Sequence, residues 1–412
     1  KFNKAKPDNL EEFIISKFGQ KLYSMFFESY TEKVWGKKPK DISAEWGAQR
    51  IKGLSIRKIF FDILRFKALY NYAGEISDEN TNYYWELIGV WCVINKMILP
   101  NWMEFTSINT KRTIARYETE LNPALRESFP AWINRLGENA LGKKLWHKEM
   151  EALNKAALLV IRVNRLKITP EKLKETLFEQ HEIIAQLVDG YPDALVIEKH
   201  INLQTFSIYK RGYFEIQDAN SQRLASFSKV LPGQKVLDIC AGSGGKALHL
   251  ATCMLNNGTL IATDLRTNKL YQLNIRAKRN GVQIIKTIQI ESLLVNQHQS
   301  FDVVLIDAPC SGIGTIRRRP EIKWQLSETA LSQFQDQQSE LLQNSALFTK
   351  PMGKLVYVTC SILKEENQDQ ISSFLTSPRG QNFELEKENY LLCHQTGFDG
   401  FYMACLKRKR NS

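Results

Sequence analysis

The sequence predicts an α/β protein whose C-terminal half folds as a doubly wound parallel sheet. From Leu231 onward, apolar runs of strand length alternate with segments of helical periodicity. Strands that alternate with helices form parallel sheets covered by helices on both faces. A glycine-rich turn follows the first of these strands, and a carboxylate and a thiol follow the apolar run at 301–306. Such sheets bind ligands at the carboxyl ends of their strands, so the sequence also predicts where the site lies.

The predicted elements of this half follow one another closely along the chain. Strands are predicted at 235–240, 259–264, 287–291, 301–307, 354–360, 383–388 and 401–407, and helices from 245 and at 268–280, 327–350 and 364–376.

The upstream part of the chain is predicted to form smaller units. With 412 residues, 43% of them hydrophobic, the chain is long enough for two or three domains. Residues 56–120 have a helical pattern, and their most apolar stretch, 87–100, is too short to span a bilayer and is expected to be a buried helix. Residues 121–212 are predicted to form a small α+β domain, in which Thr169 and Pro170 open a helix. The sheet domain is predicted at 213–412, with Asp218 as an N-cap near its start.

Charge and cysteine content narrow the class of protein. The net charge of +12 indicates a polyanionic partner. Seven cysteines, an odd number without a CxxC pair, argue against both a disulfide framework and a zinc site. We therefore expect a protein of the reducing cytoplasm that binds no metal.

Two predicted strands end on cysteines. The run at 301–306 leads to Asp307 and Cys310, and the stretch KLVYVTCS leads to Cys360. A single such cysteine is more often a small buried hydrophobic residue than a reactive group. Two thiols at the same edge of one sheet instead suggest one cleft that contains both.

The glycine-rich turn predicts a nucleotide site. Gly242, Gly244 and Ala247 satisfy the pattern G-x-G-x-x-G/A, and Asp264 ends the next strand. Glycines let the backbone approach the ligand, and an acidic residue at this offset binds ribose hydroxyls. NAD, FAD and S-adenosylmethionine proteins share this pattern, and a plain tight turn also satisfies it. The absence of a hydride-transfer motif downstream favours a ligand other than a dinucleotide.

Five motifs in order resemble one family. CAGSGGK, DAPCSGIGTIRRRPEIKW, VTCSILKEENQDQI and DGFYMACLKR, preceded by IRVNR, are similar to the RsmB/Sun-type (Nol1/Nop2/Sun) ribosomal-RNA cytosine-5 methyltransferases. The similarity covers residues 121 to 408. It implies a class I S-adenosylmethionine methyltransferase domain preceded by a small RNA-binding subdomain. It also implies that the family's NusB-like helical domain is truncated or replaced before residue 56.

The resemblance also implies roles for individual residues. Asp264 would bind the cofactor ribose, Glu291 its adenine side, and Asp307 its methionine end as well as the target base. Cys360 would be the nucleophile and Cys310 would assist its release. The S-adenosylmethionine loop would consist of Cys240, Ala241, Gly242, Ser243, Gly244, Gly245 and Lys246.

A second resemblance concerns only the N-terminal segment. YTEKVWG and WGAQRIKGLS, within residues 11–55, are similar to an interior part of flavin amine oxidases and UDP-galactopyranose mutase-like proteins. The glycine fingerprint of an FAD site does not precede them. We therefore expect residues 1–55 to be an atypical segment, a fusion fragment without flavin chemistry.

Two groups of basic residues are candidates for a functional role. Arg162 and Arg165, beside Asn164, are predicted on a short strand that could bind phosphates or splayed bases. An exposed face of an ordinary subdomain is an equal alternative. Residues 317–319, all arginine, and Lys323 are candidates for the electropositive setting that a reactive thiol needs.

The sequence therefore predicts a monomeric RNA cytosine-5 methyltransferase that acts on ribosomal RNA, with 16S RNA as its expected substrate. One rival is a catalytically silent RNA-binding assembly factor on the same fold. A second rival is a nicotinamide or flavin oxidoreductase.

Overall fold

The computed structural model describes residues 8–12, 15, 38–44, 56–99, 101–199, 201–289 and 298–410. The chain divides into two compact units, residues 1–118 and 119–412. Within the atypical N-terminal segment, the described residues include a 3₁₀ helix, Pro39–Asp41, and an antiparallel bridge between Asn9 and Ser43. The two stretches that resemble flavin enzymes lie outside the described residues.

The first unit is helical in its described part. It contains α1 (Ile56–Gly74), α2 (Tyr83–Ile94), a 3₁₀ helix (Met103–Phe105) and α3 (Thr110–Glu118). Helix α2 buries Leu87, Val90 and Trp91, which confirms a buried helix over the first part of the apolar stretch. The helix ends at Ile94, and Ile98 beyond it is exposed, so the prediction is wrong for the second part. The Trp91 indole donates a hydrogen bond to Asp62 of α1 at 3.2 Å, so its polar atom is satisfied inside the core. Among the described residues, no helix is both long enough and apolar enough to cross a membrane.

The second unit begins with a helical block and a small antiparallel sheet. The block comprises α4 (Pro123–Arg126), α5 (Ala131–Leu141) and α6 (Lys143–Asn154). The sheet comprises β1 (Leu159–Val163), β2 (Ala185–Val188), β3 (Tyr191–Ile197) and β4 (Phe214–Ile216), in the order β2-β3-β1-β4. Helices α7 (Pro170–His181) and α8 (Ser207–Lys210) complete this small subdomain. Thr169 caps α7 as predicted, its side chain accepting from the Lys172 amide.

The small subdomain differs from the prediction in two respects. Strand β4 pairs with β1, so its sheet extends past residue 212. Arg162 and Asn164 are buried, and the Asn164 side-chain Nδ2 donates to the backbone carbonyl oxygens of Gly212 and Asn280, each at 2.8 Å. The predicted RNA contact by Arg162 is therefore wrong: its guanidinium is used inside the protein. Arg165 lies beyond the end of β1 and pairs with Asp193.

The larger sheet has seven strands. They are β5 (Lys235–Asp238), β6 (Thr259–Ala262), β7 (Ile285–Thr287), β8 (Phe301–Asp307), β9 (Thr349–Thr359), β10 (Phe383–Leu391) and β11 (Phe401–Arg408). The helices of this part are α9 (Ala219–Ser228), α10 (Gly245–Cys253), α11 (Thr267–Asn280), α12 (Ile322–Gln325), α13 (Glu328–Ala346), α14 (Gln368–Thr376) and α15 (Cys393–Thr396), with 3₁₀ helices at Ile313–Thr315, Lys364–Glu366 and Gly380–Asn382. Asp218 caps α9 as predicted.

The strand order β10-β11-β9-β8-β5-β6-β7 is that of a doubly wound sheet with an antiparallel edge. Strands β5 to β9 are parallel, whereas β11 pairs antiparallel with both β9 and β10. The α/β prediction is confirmed, and the sheet is mixed rather than wholly parallel. Separate hydrophobic clusters cover its two faces, as expected when helices lie on both sides.

The helical block supports the loops that follow β8 and β9. Ile133, Trp146 and Leu153 of the block share one buried cluster with Ile313 and Leu363 of those loops. The strand-end loops are therefore packed from outside by a separate part of the chain.

Candidate active site

Three adjacent parallel strands bring the predicted site residues to one edge of the larger sheet. Strand β5 lies between β6 and β8, and β9 lies on the other side of β8. Because parallel strands end at the same edge, the glycine loop (residues 240–246), Asp307 and Cys360 open into one crevice. The predicted convergence of these three segments is confirmed.

The two predicted thiols are in contact. The Sγ atoms of Cys310 and Cys360 lie 3.3 Å apart. The hydrogen bond with Cys360 and, after it, burial raise the pKa of the Cys310 thiol well above its ordinary value. The Cys310 thiol is therefore held in its protonated form.

A buried polar network fixes the backbone on both sides of this pair. The Glu366 carboxylate accepts from the Ser311 amide at 2.8 Å and from the Gln338 side chain at 3.0 Å. Asn367 accepts from the Thr359 hydroxyl at 2.6 Å and donates to the Ser361 carbonyl at 3.0 Å. Each loop is thus tied to the segment that follows β9.

Glu366 and Asn367 were not predicted as site residues. Both are fully buried, although they lie in the charged stretch KEENQDQ. The available signal was a polar pair shortly after the apolar residues Ile362 and Leu363, which on its own also fits an ordinary helix start.

Lys246 is a cation beside the reactive groups. Its Nζ lies 2.7 Å from Asp307 Oδ2. Burial by itself lowers the pKa of Lys246, but the Asp307 carboxylate outweighs burial and raises that pKa overall. Lys246 is therefore a cation at neutral pH, and its charge also acts on Cys360.

The basic residues after Cys310 mostly serve the fold. Arg318 bridges the carboxylates of Asp218 and Asp399, each at 2.7 Å. Arg317 is buried and donates to the Ala156 carbonyl at 3.0 Å.

The last two basic residues of this stretch differ from each other. Lys323 is almost fully buried and donates to the Glu127 carbonyl at 2.9 Å and the Asn154 side chain at 2.7 Å. Arg319 is exposed and pairs with Glu321. Arg317, Arg318 and Lys323 are thus held by partners inside the fold, and their contribution to the electropositive setting of the thiols stays a prediction.

The glycine loop has the backbone that its sequence predicts. Gly242 and Gly244 have φ values of +53° and +86°, which residues with a Cβ rarely adopt. A Cβ on Gly244 would lie 2.5 Å from the Leu273 side chain, whereas one on Gly242 would enter open space among the described residues. The loop thus packs on α11 at one glycine and leaves room for a ligand at the other.

Asp264 lies beneath this loop. Its Oδ2 accepts from the Gly242 amide at 2.9 Å and its Oδ1 from the Arg266 amide at 2.8 Å. Glu291, the predicted adenine-side residue, lies outside the described residues.

Comparison with known proteins gives the family. Two family models match in sequence order: the RsmF/B-like ferredoxin-like domain over residues 129–204 and the 16S rRNA methyltransferase RsmB/F model over residues 228–407. Ribosomal RNA small subunit methyltransferase B of Proteus mirabilis is 31% identical over 290 residues, which are 69% of this chain and 67% of that protein. The chain belongs to the RsmB/F family. Across such relatives the matched part spans between 57% and 69% of their length.

Solved structures support the fold. The crystal structure of PH0851 covers 91% of this chain and 96% of its own, with a TM-score of 0.72 and 24% identity. The crystal structure of NSun6 from Pyrococcus horikoshii with SFG covers 68% of this chain and 99% of its own, with a TM-score of 0.62 and 20% identity.

S-adenosylmethionine is the cofactor of this family, and the charges at the RsmB/F site fit it. Burial and then the nearby Asp307 carboxylate raise the pKa of Asp238 to about 8. Asp238, Asp264 and Asp307 lie close together with Lys246, so a cationic ligand complements the site. Asp264 Oδ2 accepts one backbone hydrogen bond, whereas Oδ1 accepts from both the amide and the Nε of Arg266. A carboxylate oxygen can accept two hydrogen bonds, so Oδ2 has capacity for one more donor, and the ribose contact stays a prediction.

Proposed function

We propose that this RsmB/F chain methylates carbon 5 of a cytosine in small-subunit ribosomal RNA, with Cys360 as the nucleophile. The supporting observation is the pair of thiols 3.3 Å apart beside the Lys246–Asp307 ion pair, at the edge that also carries the glycine loop. The relatives are small-subunit ribosomal RNA methyltransferases, which supports this RNA as the substrate. A base in RNA must be splayed out of its stack to enter such a crevice.

The chemistry needs a thiolate because carbon 5 of cytosine is a poor nucleophile. When Cys360 Sγ forms a bond to carbon 6, an electron pair moves into the ring and carbon 5 becomes nucleophilic. S-adenosylmethionine supplies the methyl group when it is bound. Asp307 has the residue type to hydrogen-bond the N3–N4 edge of the base. A proton from the Lys246–Asp307 pair can then compensate the charge that develops on N3.

Release restores the aromatic ring. The proton on carbon 5 leaves to a base, its bonding electrons re-form the ring double bond, and the bond between carbon 6 and Cys360 breaks. The sulfur of Cys360 leaves as a thiolate within hydrogen-bond distance of Cys310. Because Cys310 has the raised pKa, its S–H group can stabilise that thiolate both before attack and after expulsion.

A trapping experiment tests the assignment of the two sulfurs. Cys360→Ala should abolish methyl transfer to ribosomal RNA and any covalent protein–RNA adduct on a denaturing gel. Cys310→Ala should still attack but stall before release, and should give an adduct with ordinary cytosine. The wild-type protein should give an adduct only with 5-fluorocytosine or 5-azacytosine RNA, in which elimination is blocked.

Cys253→Ala is the matched control, because Cys253 is a partly buried thiol on α10, away from the strand ends. It should methylate RNA as the wild type does. An adduct with Cys360→Ala and none with Cys310→Ala would reverse the two roles. Methyl transfer by both variants would reject the thiol mechanism, and its absence in the wild type would favour a silent assembly factor.

A further inference from the structure

The outer side of the glycine loop is held by two guanidinium groups. Arg276 Nη1, from α11, donates to the Ser243 carbonyl at 2.6 Å and to the Ser243 hydroxyl at 3.0 Å. Arg162 Nη1, from β1, donates to the Gly245 carbonyl at 2.5 Å. Two of the loop's seven carbonyl oxygens thus have charged donors that come from outside the loop.

The small subdomain supplies one of these two donors and orients the other. Arg162 belongs to it directly. Arg276 is oriented by Glu215 of β4, whose Oε2 lies 2.9 Å from Arg276 Nη2. Strand β1 pairs with β4, so Arg162 and Glu215 sit on neighbouring strands of the small sheet, directly opposite each other in the register.

Glu215 is built to carry a charge in this buried position. Its side chain is only 3% exposed. Burial by itself raises its pKa, but Arg276, Arg279 and Asn280 outweigh burial and lower that pKa overall. The ionised carboxylate therefore pairs with Arg276 and also accepts from the Asn280 side chain at 2.5 Å.

The glycine loop borders a cavity at Ser243, so van der Waals packing alone does not fix its position there. Ser243, Glu215 and Arg276 line an open cavity of about 370 Å³ at the junction between the small sheet and α11. Because a peptide unit is planar, fixing the Ser243 and Gly245 carbonyls also fixes the following amides, those of Gly244 and Lys246. Both amides lie at the start of α10. The Gly244 amide donates to the Ala241 carbonyl at 2.8 Å, which closes the loop, and the Lys246 amide lies in the first turn, where a helix leaves N–H groups without intrahelical partners.

We infer that Arg162, Glu215 and Arg276 are positioning residues for S-adenosylmethionine, so that the small subdomain completes the cofactor site. Arg162 and Arg276 contact the outside of the loop, and Glu215 acts through Arg276. All three therefore act on the cofactor through the loop backbone. The inference concerns cofactor binding and holds whichever base is methylated. Cofactor affinity therefore depends on the small subdomain.

Calorimetry of the full chain with S-adenosylhomocysteine, which cannot react, tests this inference. Arg276→Met and Arg162→Met should each raise its Kd by about tenfold or more, the effect of losing a hydrogen bond from a charged donor. Glu215→Gln should raise it less, because the amide can still accept from Arg276. None of these readouts requires methyl transfer, so a failure here is separable from a failure of the cytosine mechanism.

Two matched controls distinguish positioning from general loosening. Arg279→Met removes a second partner of Glu215 on the same helix, since Arg279 contacts Glu215 and the Tyr209 ring in the small subdomain. Arg165→Met removes the Asp193 ion pair next to β1. Both controls should keep the Kd within about twofold of the wild type, even where the melting temperature falls.

Three results of these Kd measurements would overturn the inference. A wild-type Kd for Arg276→Met and Arg162→Met overturns the inference. Equal weakening by Arg279→Met also overturns it, because the effect would then come from docking of the subdomain as a whole. If the methionine variants do not fold, Arg276→Lys keeps the charge opposite Glu215 but loses the two-pronged donor. Its Kd should still rise, and an unchanged value rejects the inference.

Discussion

The sulfur atoms of Cys310 and Cys360 lie 3.3 Å apart at the ends of two neighbouring parallel strands, β8 and β9. A disulfide bond has a sulfur–sulfur length of about 2 Å, so the two sulfur atoms are in contact but not bonded, and both remain thiols. The same proximity that lets one sulfur assist the other also exposes the pair to oxidation.

Hydrogen peroxide should therefore join these two cysteines and stop methyl transfer. Peroxide is reduced to water as the two thiols give up two protons and two electrons to form one disulfide. Dithiothreitol should restore activity. Mass spectrometry of an alkylated digest should find the Cys310–Cys360 cross-link, with Cys253 still carrying its alkyl label. Reversible inactivation without this cross-link would show that another oxidised form is responsible.

The position of the site could be predicted because strand order and chain direction determine it. The carboxyl ends of β5, β8 and β9 had to meet, and buried strands are visible in the hydropathy pattern. The exact lengths of the strands were harder to predict from that pattern. Strand β9 begins at Thr349, not 354, because its first residues pair with Phe301 across an irregularity in register.

The role of the charged residues could not be predicted, because a run of arginines has the same pattern whether it is solvated or paired. Arg318 finds its carboxylates at Asp218 and Asp399, 100 and 81 residues away in the chain. Lys246 meets Asp307 across 61 residues. Only the tertiary fold brings these partners together. The amino-acid sequence gives the charge of each residue but does not show which residues pair.

Asp264 should contribute directly to cofactor affinity. Asp264→Ala removes the acceptor for the Gly242 and Arg266 amides and the predicted acceptor for the ribose hydroxyls. We expect S-adenosylmethionine binding to weaken by about 1.5–3 kcal/mol, the scale for hydrogen bonds to a charged group. Asp264→Asn retains one carbonyl acceptor and should lose less. Unchanged affinity in calorimetry would assign the ribose to another residue.

Lys323 should matter for stability and not for RNA affinity. Lys323→Met leaves the Glu127 carbonyl and the Asn154 side chain without their charged donor. We expect the free energy of unfolding in urea to fall by about 3 kcal/mol. Arg319→Met, at an exposed position, should change it by less than about 0.5 kcal/mol. Weaker RNA binding by Lys323→Met with unchanged stability would instead make Lys323 a phosphate contact.

His249 should make the protein sensitive to acid. Its Nε2 lies 2.9 Å from Asp193 Oδ2, which holds the buried ring against the small subdomain. Burial and then the neighbouring Arg162 lower its pKa to about 4. An unfolded histidine titrates near pH 6.5, so only the unfolded state takes up the proton between pH 6.5 and 4. Stability that is fully present above pH 6.5 should therefore fall by up to about 3 kcal/mol as the pH approaches 4.

His249→Gln isolates this contribution, because glutamine can still donate a hydrogen bond to Asp193 and does not titrate. Asp399, whose pKa is raised to about 7 chiefly by burial, acts in the opposite direction in both proteins, so it cancels in their difference. Urea unfolding at intervals from pH 7.5 to 4.5 should show a constant difference in stability above pH 6.5. Below that pH the advantage of the wild type should shrink steadily. A difference that stays constant down to pH 4.5 would mean that His249 is protonated in the folded protein and forms a charged pair with Asp193.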